Sequence, residues 1–280
     1  MTYRDQVIAH LGKYRKAELG IVEPGVFKYR GKIYKKEHIL PADNIHKRLN
    51  ILKPYRDEFY NSELSRISFH RYFHHLNSSQ ALCINLFFPL IKEEMFDLIL
   101  SYLEIRLPVN ECEFEKISPV ECTEKNNRKT NFDFYINSKS GENIYFEIKY
   151  TEDGFGRAKD DEAHRGKFRF TYEKLLDNNP YIQNDFKTMD NFFAHYQILR
   201  NLVHIDKNSR VVFLFPQQNT RVNTQAIFAR DKILTDLGRE AFHIIYLDDI
   251  INYIQGNIKF PILVENYSRF RNKYLDYFTE

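Results

Sequence analysis

The run Asn131-Phe-Asp-Phe-Tyr-Ile136, the turn Asn137-Ser-Lys-Ser-Gly-Glu-Asn143 and the run Ile144-Tyr-Phe-Glu-Ile-Lys-Tyr150 decide the fold. Both outer runs alternate residue types and are dense in aromatic and β-branched side chains, the pattern of strands. The middle segment is turn chemistry, so the two are expected to pair as an antiparallel hairpin. Alternate strand residues face opposite ways. Glu147 and Lys149 therefore share one face, and Phe146, Ile148 and Tyr150 the other. Asp133 stands between Phe132 and Phe134, both expected on the face opposite to it. The hairpin then brings Asp133 close to Glu147, setting two carboxylates and one ammonium on one face of a sheet.

Working outward, Asn77-Ser78-Ser79 is a helix-capping cluster ahead of Ala81, Leu82, Ile84, Leu86 and Phe87. Pro89 is expected to open a second helical segment through Met95, Leu98, Ile99 and Leu103, which Pro108 ends. A first strand is expected near Glu113 to Ile117. Beyond the hairpin, Phe192, Tyr196, Leu199 and Val203 recur at helical spacing and predict one long helix from Asp185 to His204. Arg210 to Pro216 reads as a buried strand, Thr224 to Leu237 as a helix and Phe242 to Leu247 as another strand. Asp248 and Asp249 start a further helix, and a last one is expected near Tyr267 to Phe278. The order predicts an α/β fold with an αβββαβ core on a mixed sheet. Three parts are expected: a basic extension over residues 1–75 holding a small hairpin around Gly31, a core over 76–255, and a C-terminal helical segment over 256–280.

The chain has 280 residues, 43% hydrophobic and 28% charged, within the range of an ordinary globular protein. No apolar run reaches the roughly 18 residues of a membrane span, and the N-terminus lacks a signal-like apolar stretch, so a cytoplasmic protein is expected. Cys83, Cys112 and Cys122 have no CxxC spacing and read as structural residues. His70 and His74 have the i, i+4 spacing of a helical zinc pair, but no completing ligand accompanies them or His75. The net charge of +3 is less informative than its distribution. Lysine and arginine cluster with aromatic residues in the first fifty positions, at Arg165-Gly-Lys167-Phe-Arg169 and at Arg269-Phe-Arg271. Such a pattern suits phosphate contact with stacking, although it also describes a solvated surface.

Phosphodiester hydrolysis needs the parts found on the hairpin. Asp133 and Glu147, with the backbone carbonyl of Ile148, suit Mg2+, a hard ion that takes oxygen ligands. Lys149 can position or deprotonate the attacking water and stabilise developing charge. Glu147 and Lys149 taken alone would read as a solvated salt bridge. A carboxylate at position 133, between two phenylalanines, argues against that reading.

Asp133 on one strand and Glu147-Ile148-Lys149 on the next resemble the PD-(D/E)XK nuclease superfamily, with the core of restriction endonucleases. The wider runs Arg128 to Asp133, Tyr145 to Glu152 and Gly154-Phe-Gly156 are similar to a bacterial branch of restriction-endonuclease-like proteins, as are Asn77 to Leu86 and Tyr196 to Asn201. The resemblance covers roughly half the chain, from about Asn77 to Pro216. Phe132 stands where the superfamily's motif has proline. The resemblance implies a Mg2+-dependent endonuclease, Mn2+ substituting, that acts on double-stranded DNA in restriction or defence. It also makes Gln197 an additional catalytic residue on the helix after the third strand. Gln80, Glu152 and Arg200 are possible supporting residues, Arg128, Arg165, Lys167 and Arg169 are candidate nucleic-acid contacts, and a homodimer is compatible. Glu93 and Glu94 stand where some members carry another carboxylate. A silent nucleic-acid-binding module, or a nuclease acting on RNA or structured DNA, would share these features.

Overall fold

The computed structural model describes residues 1–106, 108–122 and 128–277. The chain forms two compact units, Met1–Arg106 with Leu247–Glu280, and Leu107–Tyr246. Segments 76–106 and 247–255, expected with the core, thus group with the two ends of the chain. The contacts explain the grouping. In the helix Ser79–Lys92, Asn85 donates to the Tyr274 hydroxyl (2.8 Å) and Leu86 O accepts from the Tyr267 hydroxyl (2.7 Å). Both tyrosines lie on the helix Pro261–Tyr274, whose expected extension to Phe278 ends outside the described residues.

In this first unit the expected small hairpin forms between β1 (Val26–Tyr29) and β2 (Lys32–Lys35). Its turn residues Arg30 and Gly31 both have positive φ (48° and 76°), which glycine adopts without steric cost. Pro89 does not open a helix; it lies inside Ser79–Lys92, where a fully buried turn from Leu86 to Leu90 offsets its missing donor. Arg15, expected within a basic surface cluster, is fully buried and donates to Glu37 (2.7 Å) and to the Val22 carbonyl (2.7 Å). Lys273 is also fully buried, its ammonium donating to Asn50 O (2.7 Å) and Oδ1 (2.6 Å). Asn85 donates to the same Asn50 carbonyl (2.9 Å).

His70 lies in irregular backbone, His74 in a turn and His75 in an isolated bridge to Ile39, so the helical spacing of a zinc pair does not arise. Among the described residues the buried ring nitrogens His38 Nδ1, His74 Nδ1 and His75 Nε2 have no hydrogen-bond partner. Burial pushes His38 down to about 4, and in the second unit it does the same to His204. Both rings are therefore neutral in the folded protein and take up protons on unfolding below pH 6.5. Stability should be complete above about pH 6.5 and decline towards pH 4, by several kcal/mol in aggregate at about 1.4 kcal/mol per pKa unit. Thermal melts should show Tm about 5–10 °C lower at pH 4.5 than at pH 7.5. An unchanged Tm would contradict the neutral burial of these rings.

The second unit is built on a mixed five-stranded sheet, in order β3 (Val109–Ile117), β4 (Asn131–Ser138), β5 (Asn143–Ile148), β6 (Ser209–Phe215) and β7 (Phe242–Tyr246). The first three strands are antiparallel, and β6 and β7 continue the sheet in parallel. This is the expected α/β class. One face of the sheet, with Tyr145, Val211 and Phe213, packs on helices carrying Phe192, Leu199 and Leu202. The long helix expected from Asp185 to His204 is instead two, Met189–Ala194 and Tyr196–Leu202, broken at His195 (φ −121°, ψ 33°). The break has a cause distant in sequence: the Gln197 backbone amide donates to the Gly156 carbonyl (3.0 Å) and not to the helix. No helix among the described residues is long and apolar enough to cross a membrane.

Candidate active site

The hairpin register pairs Phe134 with Phe146 and Tyr135 with Tyr145. Continued by one residue, it sets Asp133 beside Glu147. At this point the ladder changes character: the Ile148 amide donates to Asp133 Oδ2 (2.6 Å). The two phenylalanines flanking Asp133 do not share a face. Phe134 packs on Phe114 and Phe146, whereas Phe132 packs on Tyr145 and His204. Glu115, across from Asp133 on β3, has φ +58°, so the pleat of the neighbouring strand is also broken at this level.

Glu147 and Lys149 are 5% and 7% exposed, so they are not a solvated pair. Lys149 Nζ donates to Glu147 Oε1 (2.6 Å), as does Gln197 Nε2 (2.8 Å). Asn201 Nδ2 donates to Oε2 (3.1 Å). Gln197 is positioned in turn by the Gly156 amide, which donates to its Oε1 (3.1 Å). The Lys149 ammonium also lies 5.5 Å from the centre of the Phe155 ring. Glu152 accepts from the Tyr150 amide (2.5 Å), and Asn219 holds the Tyr150 and Glu152 carbonyls (3.1 and 3.0 Å).

The electrostatics follow from this geometry. Burial, and then the charges of Glu147 and Glu115, hold the Asp133 carboxyl well above the ordinary aspartate range, against the opposing Lys149 charge and Ile148 amide. Burial disfavours the Lys149 ammonium, but Glu147, Glu152 and Asp133 outweigh it and leave its pKa raised. Lys149 is therefore a cation at neutral pH.

Other candidates lie elsewhere. Arg200 donates to the Tyr172 hydroxyl (2.8 Å) and the Arg128 carbonyl (3.3 Å). Lys167 is buried and donates to the same carbonyl (2.6 Å). Arg165 makes a two-point pair with Asp160 (2.5 and 2.8 Å), and Arg169 lies 4.0 Å from Glu162. Of that basic run, Arg165 and Arg169 are exposed, as is Arg128. Gln80 bridges the His70 amide (2.9 Å) and the Ser68 carbonyl (3.1 Å) in the first unit. Glu93 accepts from the Tyr55 hydroxyl (3.0 Å), and Glu94 is exposed.

Two residues near the cluster were not anticipated. Asn201 is four positions after Gln197 and so on the same helical face, a spacing that would have identified it. Glu115 was inside an expected strand, but its register was not. Replacing Asn201 with alanine removes a buried donor to a carboxylate and is expected to cost about 2 kcal/mol in urea unfolding. Asn201→Asp, nearly the same shape, should cost more because it faces Glu147 with a like charge. Equal losses in the two variants would mean that Asn201 only fills space.

A mixed sheet with helices, bearing paired carboxylates and a lysine where two antiparallel strands change their pairing, is an α/β protein consistent with a restriction-endonuclease-like core. Residues 8–275 match the family described as restriction endonuclease associating with ARP, and the chain belongs to that family. No curated protein matches, and no solved structure does.

Proposed function

We propose that this chain is a Mg2+-dependent endonuclease of the PD-(D/E)XK type that cuts double-stranded DNA, with Asp133, Glu147 and Lys149 at its active site. The observation that carries the reading is the buried cluster itself. Two carboxylates are held together with a single lysine, leaving an excess negative charge in a largely water-excluded place, which is costly without a cation. The donor set fits Mg2+: hard oxygens from Asp133 and Glu147, with the Ile148 carbonyl as a third. Among the described residues no group of three or more His, Cys, Asp or Glu is placed to hold a metal ion. Two carboxylates with water completing the shell suit Mg2+ better than a dedicated all-protein cage would. When bound, the ion supplies a more acidic water and positive charge against the phosphate oxygens, and Mn2+ can substitute.

The chain's own residues then divide the remaining work. Lys149, kept cationic by its neighbours, orients the attacking water and offsets charge on the phosphate; it does not serve as the base. Gln197 and Asn201 hold the Glu147 carboxylate in one orientation. Exposed Arg128, Arg165 and Arg169 would meet the phosphate backbone, giving salt-dependent binding. Two copies acting together would cut both strands.

The test is cleavage of supercoiled plasmid, single-stranded DNA and RNA with Mg2+, with Mn2+ and with EDTA. Metal-dependent cutting of plasmid is expected. A protein that binds DNA but cuts none of these substrates would instead be a binding module, and cutting of RNA alone would move the substrate class.

A further inference from the structure

Beside the candidate active site, and wholly within the second unit, lies a cavity of about 160 Å3 lined by Phe155, Arg157, His195, Gln225 and Phe228 among others. Its walls are built from the same backbone that supports the carboxylate cluster. Phe155 lies beneath the Lys149 ammonium, and Gly156 grips Gln197 through both its amide and its carbonyl. The break at His195 turns that imidazole onto the Phe228 ring, nearly parallel at 5.1 Å and 23°, and Phe186 packs edge-on behind both. Gln225 accepts from the Phe155 amide (2.6 Å). Gly154 permits this approach: its φ is +109°, and a Cβ there would stand 2.5 Å from Gln225 Oε1. Arg157 is exposed at the rim and has no ion pair among the described residues.

A cavity of about 150 Å3 holds a benzene-sized ring, so this one suits a single six-membered ring better than a fused pair. Flat aromatic walls, an amide side chain and a free guanidinium are the groups that bind an unstacked base and its phosphate. We propose that the pocket takes one unstacked pyrimidine base of the strand held at the carboxylate cluster, with Arg157 on an adjacent phosphate. The proposal rests on the nuclease reading and adds a substrate preference to it.

The test measures binding apart from cleavage. In EDTA, the full chain should bind fluorescein-labelled dT12 on the order of tenfold more tightly than dA12. Ala194→Trp, which fills the cavity from an exposed lining position, should abolish that preference, as should Phe228→Ala. Melting curves will check that both variants are folded. Arg157→Ala should weaken both oligonucleotides alike and flatten the salt dependence. Equal binding of dT12 and dA12, or a preference unchanged in both pocket variants, would overturn the proposal, as would a failure to bind either strand. Cutting by a wild type without the preference would overturn the pocket alone. The preference in a wild type that never cuts would keep the pocket and overturn the nuclease.

Discussion

Lys149→Ala is expected to lower the rate of plasmid cleavage at saturating Mg2+ by at least about 10²–10³-fold, the typical loss when a buried charge-stabilising donor is removed. The same change should destabilise the fold by about 3 kcal/mol, because it strips the cation from the buried Glu147 carboxylate and the half-buried Asp133 beside it. These effects must be separated. Lys149→Met keeps most of the side-chain volume against Phe155, so it isolates the charge. Both variants should be inactive under conditions where circular dichroism and urea unfolding show them folded. Activity within tenfold of wild type in folded Lys149→Met would remove the lysine from the mechanism. An Arg variant should not rescue, since its planar fork does not match the single contact to Glu147 Oε1.

Asp133→Asn should make the protein both inactive and more stable in metal-free buffer. The sign follows from the raised pKa of Asp133. A carboxyl titrating higher in the folded state than in the unfolded chain costs stability at every pH above its unfolded value. That cost is complete once the pH exceeds the folded value. The amide removes the charge but keeps an oxygen for the Ile148 amide. In EDTA at neutral pH its Tm should rise by about 2–4 °C for each kcal/mol recovered. Millimolar Mg2+ should reverse the order, because wild type gains stability by binding the ion and the variant does not. If Asp133→Asn melts below wild type in EDTA, or if Mg2+ stabilises both equally, Asp133 is not part of a metal site.

The hairpin and the placement of Asp133 near Glu147 were legible because short-range signals agreed: alternation, turn residues and aromatic flanks. The class of sheet followed from element order. What escaped was set by contacts distant in sequence. Nothing near His195 announces a helix break, since its cause is a hydrogen bond to Gly156. Strict alternation puts Phe132 and Phe134 on one face, yet they pack on different partners beside a left-handed residue of the neighbouring strand that no local pattern marks. Lys167 and Arg15 looked like surface cations, yet each is buried with backbone carbonyls as acceptors. Charge in a sequence window says where a cation is, and says nothing of which carbonyls will surround it. Asn201 was visible by spacing but carries no charge to draw notice.

The buried Lys273–Asn50–Asn85 network has a consequence for the order in which the protein is made. One unit is assembled from the two ends of the chain, and the other is an uninterrupted stretch between them. On a ribosome the uninterrupted stretch is complete while the closing helix is still unsynthesised. Until Lys273 and Tyr274 emerge, the Asn50 carbonyl and the Asn85 amide have each other but not the ammonium and the hydroxyl that complete the network. The nascent protein therefore passes through a stage in which the sheet bearing the carboxylates is finished and its companion is still waiting for its last strut.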